Sequence, residues 1–302
     1  MHSNDVREIS MPPQLYVLLA VLIWSTGGLF IKLITLNAFQ ITFFRSLLAG
    51  ITVLILTRKK GLAINGFGIL TSIFYAALLF LFVWATKKTA AANAIFLQYT
   101  APIYILILAP FIIGEKFHTR DLLTVIACIA GMSLFFVGQL NLADYQGNVA
   151  ALGSGIFLGL YIMLLRHRRA AELNPAIAVI YGNFFLAALT VQSGYSALSL
   201  ITPTDMLYVS FLGIVQIGLS YILFIKGVTL GTRPLDASII GFFEPILNPV
   251  WVFIFLHERP SDWAIIGGLI IIATVLIHTL VARKKRFETK SLSVGNTPHS
   301  DV

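Results

Sequence analysis

The sequence predicts an all-α integral membrane protein of ten transmembrane helices, arranged as two inverted five-helix repeats. Of its 302 residues 58% are hydrophobic and 11% charged, with a mean hydropathy of +0.88. That composition excludes an ordinary soluble surface and makes the bilayer the solvent. Two stretches 143 positions apart share one pattern: Thr100 to Phe117 and Phe243 to Pro260 each carry an early proline (Pro102, Pro245) and a glutamate 13 residues after it (Glu115, Glu258). Asn93-Ala94 and Asp236-Ala237 keep the same register, so the chain is a duplicated domain. The net charge of +8 sits in short clusters between apolar runs, which reports orientation in a membrane and not a nucleic-acid partner.

A span needs about 20 mostly apolar residues to cross a core of roughly 30 Å. The first candidate, Gln14 to Leu36, contains the small pair Gly27-Gly28; the second, Phe39 to Thr57, ends on a basic cluster; the third is Gly66 to Thr86. The fourth, Ala90 to Gly114, holds the first repeat proline, and the fifth, Leu122 to Leu140, holds the lone cysteine, Cys128. The sixth, Val149 to Leu165, carries Ala151, Gly155 and Gly159, small residues that permit close helix contact. The seventh, Ala176 to Val191, is short; Met206 to Ile225, Leu235 to Leu256 and Trp263 to Val281 complete the set. Runs this long lack the alternation of barrel strands.

Placing the amino terminus in the cytoplasm puts Arg58 to Lys60, Arg166, Arg168, Arg169, Arg233 and Arg283 to Arg286 inside, with Lys87, Lys88 and Arg259 outside. Both termini are then cytoplasmic, and an odd number of spans per half inverts the second copy. The expected divisions are a cytoplasmic segment at 1–13, repeats at 14–140 and 148–283, and a disordered cytoplasmic tail at 284–302. One cysteine permits no internal disulfide and no thiolate metal site, and the first apolar run reads as a span, not a cleavable signal peptide.

Trp24 with Lys32, Phe44-Arg45, the two proline-to-glutamate helices and the Gly-rich last span from Gly267 resemble the drug/metabolite transporter superfamily, and more closely its ten-span members built from two EamA domains. The resemblance covers about residues 14–283. It implies a secondary transporter of small organic solutes in a cell inner membrane. Efflux of amino acids or related metabolites is the leading expectation. Uptake of a cationic or phosphorylated metabolite is the alternative, and an intramembrane enzyme a remote one. No nucleotide-binding loop is present, so the driving force is a solute or proton gradient.

Glu244 is the most informative residue: about nine residues into its span, it lies ~14 Å deep, where a carboxylate must face the bundle or a wet cavity. It is either a proton or substrate group or a support for backbone freed by Pro245; its repeat partner is Ala101. Gly241, Asn248 and Trp251 share its helix face. Trp24, Tyr75, Gln98, Tyr99, Tyr161, Asn183, Gln216 and Phe242 fall at similar depth, an aromatic wall with polar handles that suits an amphipathic solute. Packing and interhelical hydrogen bonds are the plainer reading of each. Lys32 and Arg45 are expected near the outer side, able to snorkel, with recognition of a substrate anion as the other option. Asn93 and Asp236 read as N-caps, Glu115 and Glu258 as interfacial charges or gate salt bridges, and His278 as a satisfied core histidine. Pro102 and Pro245 are candidate hinges. Gly153-Ser154-Gly155 with distant His278 is the one weak nucleophile signal; no zinc spacing appears, and no catalytic residue, metal or cofactor is expected. The expected partners are a small-molecule substrate, lipid and protons, with no nucleic acid and the oligomeric state left open.

Overall fold

The computed structural model describes residues 11–89, 91–134, 137, 144–256 and 262–295. Among these every regular element is helical. In the first half lie α1 (Pro13–Trp24), α2 (Gly27–Leu33), α3 (Ala38–Thr57), α4 (Gly66–Lys88), α5 (Ala91–Gln98), α6 (Ala101–Ile112) and α7 (Thr119–Leu134). The second half adds α8 (Tyr145–Leu164), α9 (Ile177–Leu189), α10 (Val191–Ala197), α11 (Pro203–Ser210), a π-helical segment Phe211–Leu219, α12 (Ser220–Thr229), α13 (Pro234–Gly241), α14 (Phe243–Leu256) and α15 (Asp262–Gly295). Local chemistry starts several of these helices. Asn37 and Gln40 form a reciprocal cap on α3, Asn65 accepts from the Gly68 N–H at the head of α4, and Thr202 with Asp205 caps α11.

Six continuous or gently broken helices are long and apolar enough to span: Pro13–Leu33, Ala38–Lys60, Gly66–Lys88, Asn93–Ile112, Tyr145–Leu164 and Pro203–Thr229. The sharply bent pair α9–α10, with 64° between its parts, makes a seventh if it is one span. Of the other expected spans, α7 has 16 described residues, with the rest of Leu122 to Leu140 lying largely outside the described residues, and Ile265–Val281 is a shorter apolar helix. Glu258 and Arg259 also lie outside the described residues. Helix α15 runs to Gly295 and so covers 284–295 of the tail expected to be disordered; that stretch has no proline and no glycine before Gly295, and lysine, arginine and glutamate favour continuation.

Packing crosses the halves. The α4 helix lies against α8 and α9, α1 against α12, α3 against α9 and the π segment, and α7 against α15. Large apolar side chains such as Phe111, Leu123, Leu189 and Leu269 point outward, while Gln98, Asn183 and Gln216 are buried. This is the reverse of a soluble surface and the pattern a lipid solvent imposes.

Four helix irregularities converge on the centre. After α1 the chain breaks at Ser25-Thr26, whose hydroxyls donate to the Leu22 and Ile23 carbonyls. The α5–α6 break falls at Tyr99-Thr100 and the α13–α14 break at Phe242. Tyr99 and Phe242 are 143 positions apart, and Pro102 and Pro245 follow each break by the same three residues, inside the first turn of α6 and α14, where a proline removes no internal bond. The fourth irregularity is the π segment around Gln216.

Candidate functional site

The broken helices enclose a cavity of about 40 Å³, with space for only a few waters. Trp24, Arg45, Gln98, Tyr99, Gln216 and Glu244 line it, joined by Tyr221 and apolar side chains including Phe82 and Leu158. Six residues singled out in the sequence therefore meet at one point.

Glu244 is 5% exposed, in the first turn of α14, and its Oε2 accepts from the Tyr99 hydroxyl at 2.7 Å. A buried carboxylate needs such a donor, and here it comes from the other half of the chain. Arg45 corrects the sequence expectation: it is 2% exposed and does not snorkel. It lies seven residues into α3, ~10 Å from the helix start, and its Nη2 donates to Gln216 Oε1 at 2.9 Å. Gln216 in turn donates to the Trp24 carbonyl at 3.4 Å. The close approach is set by Gly213, where an added Cβ would come within 2.8 Å of the Arg45 carbonyl oxygen.

Arg45 Nε and Nη1 are buried with no hydrogen-bond partner among the described residues. Because Nη2 carries two hydrogens and Gln216 takes one, either the Nε–Nη2 or the Nη1–Nη2 edge remains whole. Such an edge matches a carboxylate or phosphate with two parallel hydrogen bonds. The cavity thus holds a cation with an open edge and a carboxylate, within aromatic walls.

Behind this cavity lies an aromatic layer. Tyr75 and Tyr161 are fully buried, 5.2 Å apart between ring centres, and Tyr75 accepts from Asn183 Nδ2 at 3.1 Å. Tyr221 joins the layer to the cavity, 4.9 Å from Tyr75 and 4.8 Å from Trp24. Phe242 packs on Tyr99 at 5.6 Å without lining the cavity. Trp251 donates its Nε1 to Ser25 Oγ at 2.8 Å. The Asn248 side chain lies outside the described residues. Lys32 is exposed and donates to the Thr89 carbonyl at 2.8 Å, so it serves the helix end and not the cavity.

Charged groups tie the ends of the bundle. At one end Arg233, from the second half, reaches Asp121 Oδ2 at 2.9 Å and Glu115 Oε2 at 3.4 Å in the first half, and Asp236 at 3.7 Å. His278 bridges Asp236 Oδ1 at 2.9 Å and Thr124 Oγ1 at 3.1 Å, a satisfied core histidine. Burial pushes the Glu115 carboxyl above its ordinary range, with Arg233 pulling it back. Asp236 is therefore an ion-pair residue in the third position of α13, not its cap, because Arg233 and His278 compete for its oxygens. Asn93, whose Nδ2 donates to Thr89 Oγ1 at 3.3 Å, sits inside α5 and does not cap it. At the opposite end Asp205 accepts from the Thr35 N–H and hydroxyl, each at 2.8 Å, again joining the halves.

Ser154 and His278 do not meet. Ser154 accepts from Gln98 Nε2 at 2.7 Å and donates to the Leu78 carbonyl at 2.9 Å, while His278 belongs to the Asp236 cluster. The weak nucleophile signal is a helix-packing serine.

Sequence reading missed Tyr221, Asp121 and the role of Arg233. Tyr221 is five residues from Gln216, which a regular helix places on a different face; the intervening π turn brings the two to one cavity. Gly213 and Gly218 within that stretch let it pack closely on α3, against Arg45, Leu48 and Thr52.

A helical membrane protein whose broken helices meet at a closed central cavity, tied across its halves at both ends, has the build of a transporter. The chain belongs to the EamA-like transporter family, which matches residues 11–137 and again 145–280. It is similar to an "uncharacterized transporter" of Archaeoglobus fulgidus, 25% identical over 291 residues that cover 88% of this chain and 96% of that protein. It is also similar to human solute carrier family 35 member G1, 22% identical with 86% and 76% covered. A solved crystal structure of a protein shares its fold, with a TM-score of 0.74 at 20% identity over 90% of this chain and 98% of that one.

Proposed function

We propose that the chain is a ten-helix secondary transporter whose inverted five-helix halves open a central site alternately to each side, and that it exports amino acids or related zwitterionic metabolites across a cell inner membrane, with both termini cytoplasmic. The observation that carries this reading is the pairing of Arg45 and Glu244 on one small cavity. The open guanidinium edge takes a substrate carboxylate, and Glu244 takes the ammonium group or, in its absence, a proton. The rings of Trp24, Tyr99 and Tyr221 face the rest of the solute.

Helix packing fits a twofold relation between the halves, and an odd number of spans per half makes that relation an inverted one. A shift of 143 positions carries α3 onto α9–α10 and α7 onto α15, and each of these pairs is in contact, as a pseudo-twofold axis between halves requires. A cavity of about 40 Å³ is too small for an amino acid, so cargo enters only when the surrounding helices move apart. Opening at one end parts Arg233 from Asp121 and Glu115; opening at the other parts Asp205 from Thr35. Uptake of a phosphorylated solute would use the same Arg45 edge, but it leaves Glu244 facing a second negative charge without a partner. Uptake of a cation leaves Arg45 in the corresponding position.

Counterflow in proteoliposomes tests the reading. Apolar and aromatic amino acids are expected to exchange, while the carboxamide analogue, lacking the Arg45 partner, and the N-acetyl analogue, lacking the Glu244 partner, are not. Exchange of both analogues at the rate of the parent amino acid would contradict it.

A further inference from the structure

Away from the central cavity, a cleft of about 310 Å³ opens where α4 begins, α8 ends, α9 begins and α12 ends. Its size is at the lower edge of small-molecule sites, roughly 300–1,000 Å³. The floor is apolar, formed by Phe67, Leu164, Leu173 and Ile177. The rim is basic and comes from one short segment, Arg166, His167 and Arg168. Converging helix ends place this cleft at the membrane–water boundary.

The rim is organised. His167 stacks on Phe67 with ring centres 5.1 Å apart, and its Nδ1 accepts from the Arg169 N–H at 3.2 Å. The neutral ring therefore keeps its hydrogen on Nε2 as a donor. Partial burial and the adjacent Arg169 and Arg168 hold His167 below its ordinary range. Arg166 is anchored by a long contact from Nη1 to the Val228 carbonyl, at 3.5 Å. Arg166 and Arg168 are exposed, and among the described residues neither has a carboxylate within 4 Å, although the charge of Arg166 reaches Glu115 at longer range. Glu172, the acid in the same turn, does not line the cleft. Asn174 fastens the loop, donating to the Thr57 and Gly61 carbonyls at 3.2 and 3.0 Å, so the basic rim has a fixed position over the apolar floor.

We infer that this cleft is a binding site for an anionic phospholipid, the phosphate held by Arg166, Arg168 and His167 and the glycerol and first acyl carbons lying on the apolar floor. Charge complementarity favours an anionic headgroup over a zwitterionic one, and basic pockets between membrane helices are suited to such headgroups. The apolar floor favours lipid over free phosphate, which has nothing to place there. The inference does not depend on the transport reading or on the cargo.

The full-length chain, purified in detergent, is titrated with phosphatidylglycerol or phosphatidylcholine of the same acyl chains, and bound lipid is counted by native mass spectrometry. Preferential retention of one phosphatidylglycerol is expected, weakened roughly 30-fold in the Arg166→Gln/Arg168→Gln double variant, as two charges near an anionic headgroup imply. Lys59→Gln/Lys60→Gln, which alters exposed lysines outside the cleft, is expected to bind as the unaltered chain does. Unchanged melting without lipid certifies the fold of each variant, and Arg168→Gln alone serves if the double variant fails that check. Equal retention of the two lipids, equal loss in both double variants, or full displacement by inorganic phosphate at matched concentration would each overturn the assignment.

Discussion

The α5–α6 and α13–α14 segments are the same construction with different chemistry. Both break at the same repeat position, Tyr99 in one and Phe242 in the other, and both place a proline three residues on. Yet where α14 carries Glu244, α6 carries Ala101, which is fully buried, with its carbonyl close to Gly159 of α8. Where the first break offers a phenol to the cavity, the second offers a phenyl ring that packs behind that phenol. Duplication has preserved the backbone device while the polar groups have diverged. The break therefore serves the architecture, and the cavity's chemistry is asymmetric, with the acid from one half and its hydroxyl donor from the other.

Moving the acid from one break to the other has the largest expected effect. An Ala101→Glu/Glu244→Ala double variant keeps one carboxylate but puts it beside the packed face of α8; counterflow is expected to fall about 100-fold, the size of an uncompensated buried charge. Retained transport would make the site symmetric. Arg45→Lys replaces a two-donor edge by a point charge, and about a 30-fold loss is expected in the same assay, with the larger share in apparent affinity for the carboxylate-bearing solute. Tyr99→Phe makes the first break chemically like the second. Loss of one hydrogen bond to a carboxylate is expected to lower transport about tenfold, with the fold intact by melting.

Smaller effects are expected at the charged cluster at one end of the bundle. Asp121 is 1% exposed and holds Arg233 at 2.9 Å, whereas Glu115 is 21% exposed at 3.4 Å. Asp121→Asn is expected to destabilise the protein by about 3 kcal/mol in thermal unfolding of the purified chain, whereas Glu115→Gln, which removes a charge that burial disfavours, is expected to stabilise it slightly, by no more than about 0.5 kcal/mol. Since burial raises the proton affinity of Glu115, acidification neutralises it before an ordinary carboxylate. The small difference between Glu115→Gln and the unaltered chain should therefore shrink as pH falls.

The duplication and five cavity residues, Trp24, Gln98, Tyr99, Gln216 and Glu244, are legible in the sequence because they rest on local signals: a fixed offset and polar or aromatic residues at helical depth in apolar runs; the prolines mark the neighbourhood of the breaks, which fall three residues earlier, at Tyr99 and Phe242. The orientation of Arg45 is not legible in the sequence, since depth along one helix says nothing of what packs beside it; Gln216, 171 positions away, decides that the guanidinium turns inward. Tyr221 was missed because a π turn shifts the phase that periodicity assumes. Residue type and nearness to a helix start make Asp236 read as a cap, while its actual partners, Arg233 and His278, include one 42 positions off. Tertiary partners settle the roles of charged residues, and they leave little trace in a single chain.

In the proposed transport cycle Glu244 and the Arg45 edge carry a zwitterionic cargo outward. Untargeted mass spectrometry of cells and medium, comparing cells with the intact chain, without it and with Glu244→Gln, tests this most directly. An amino acid or close relative enriched in the medium only with the intact chain is the predicted result. Depletion of a solute from the medium, or equal export by Glu244→Gln, would contradict it.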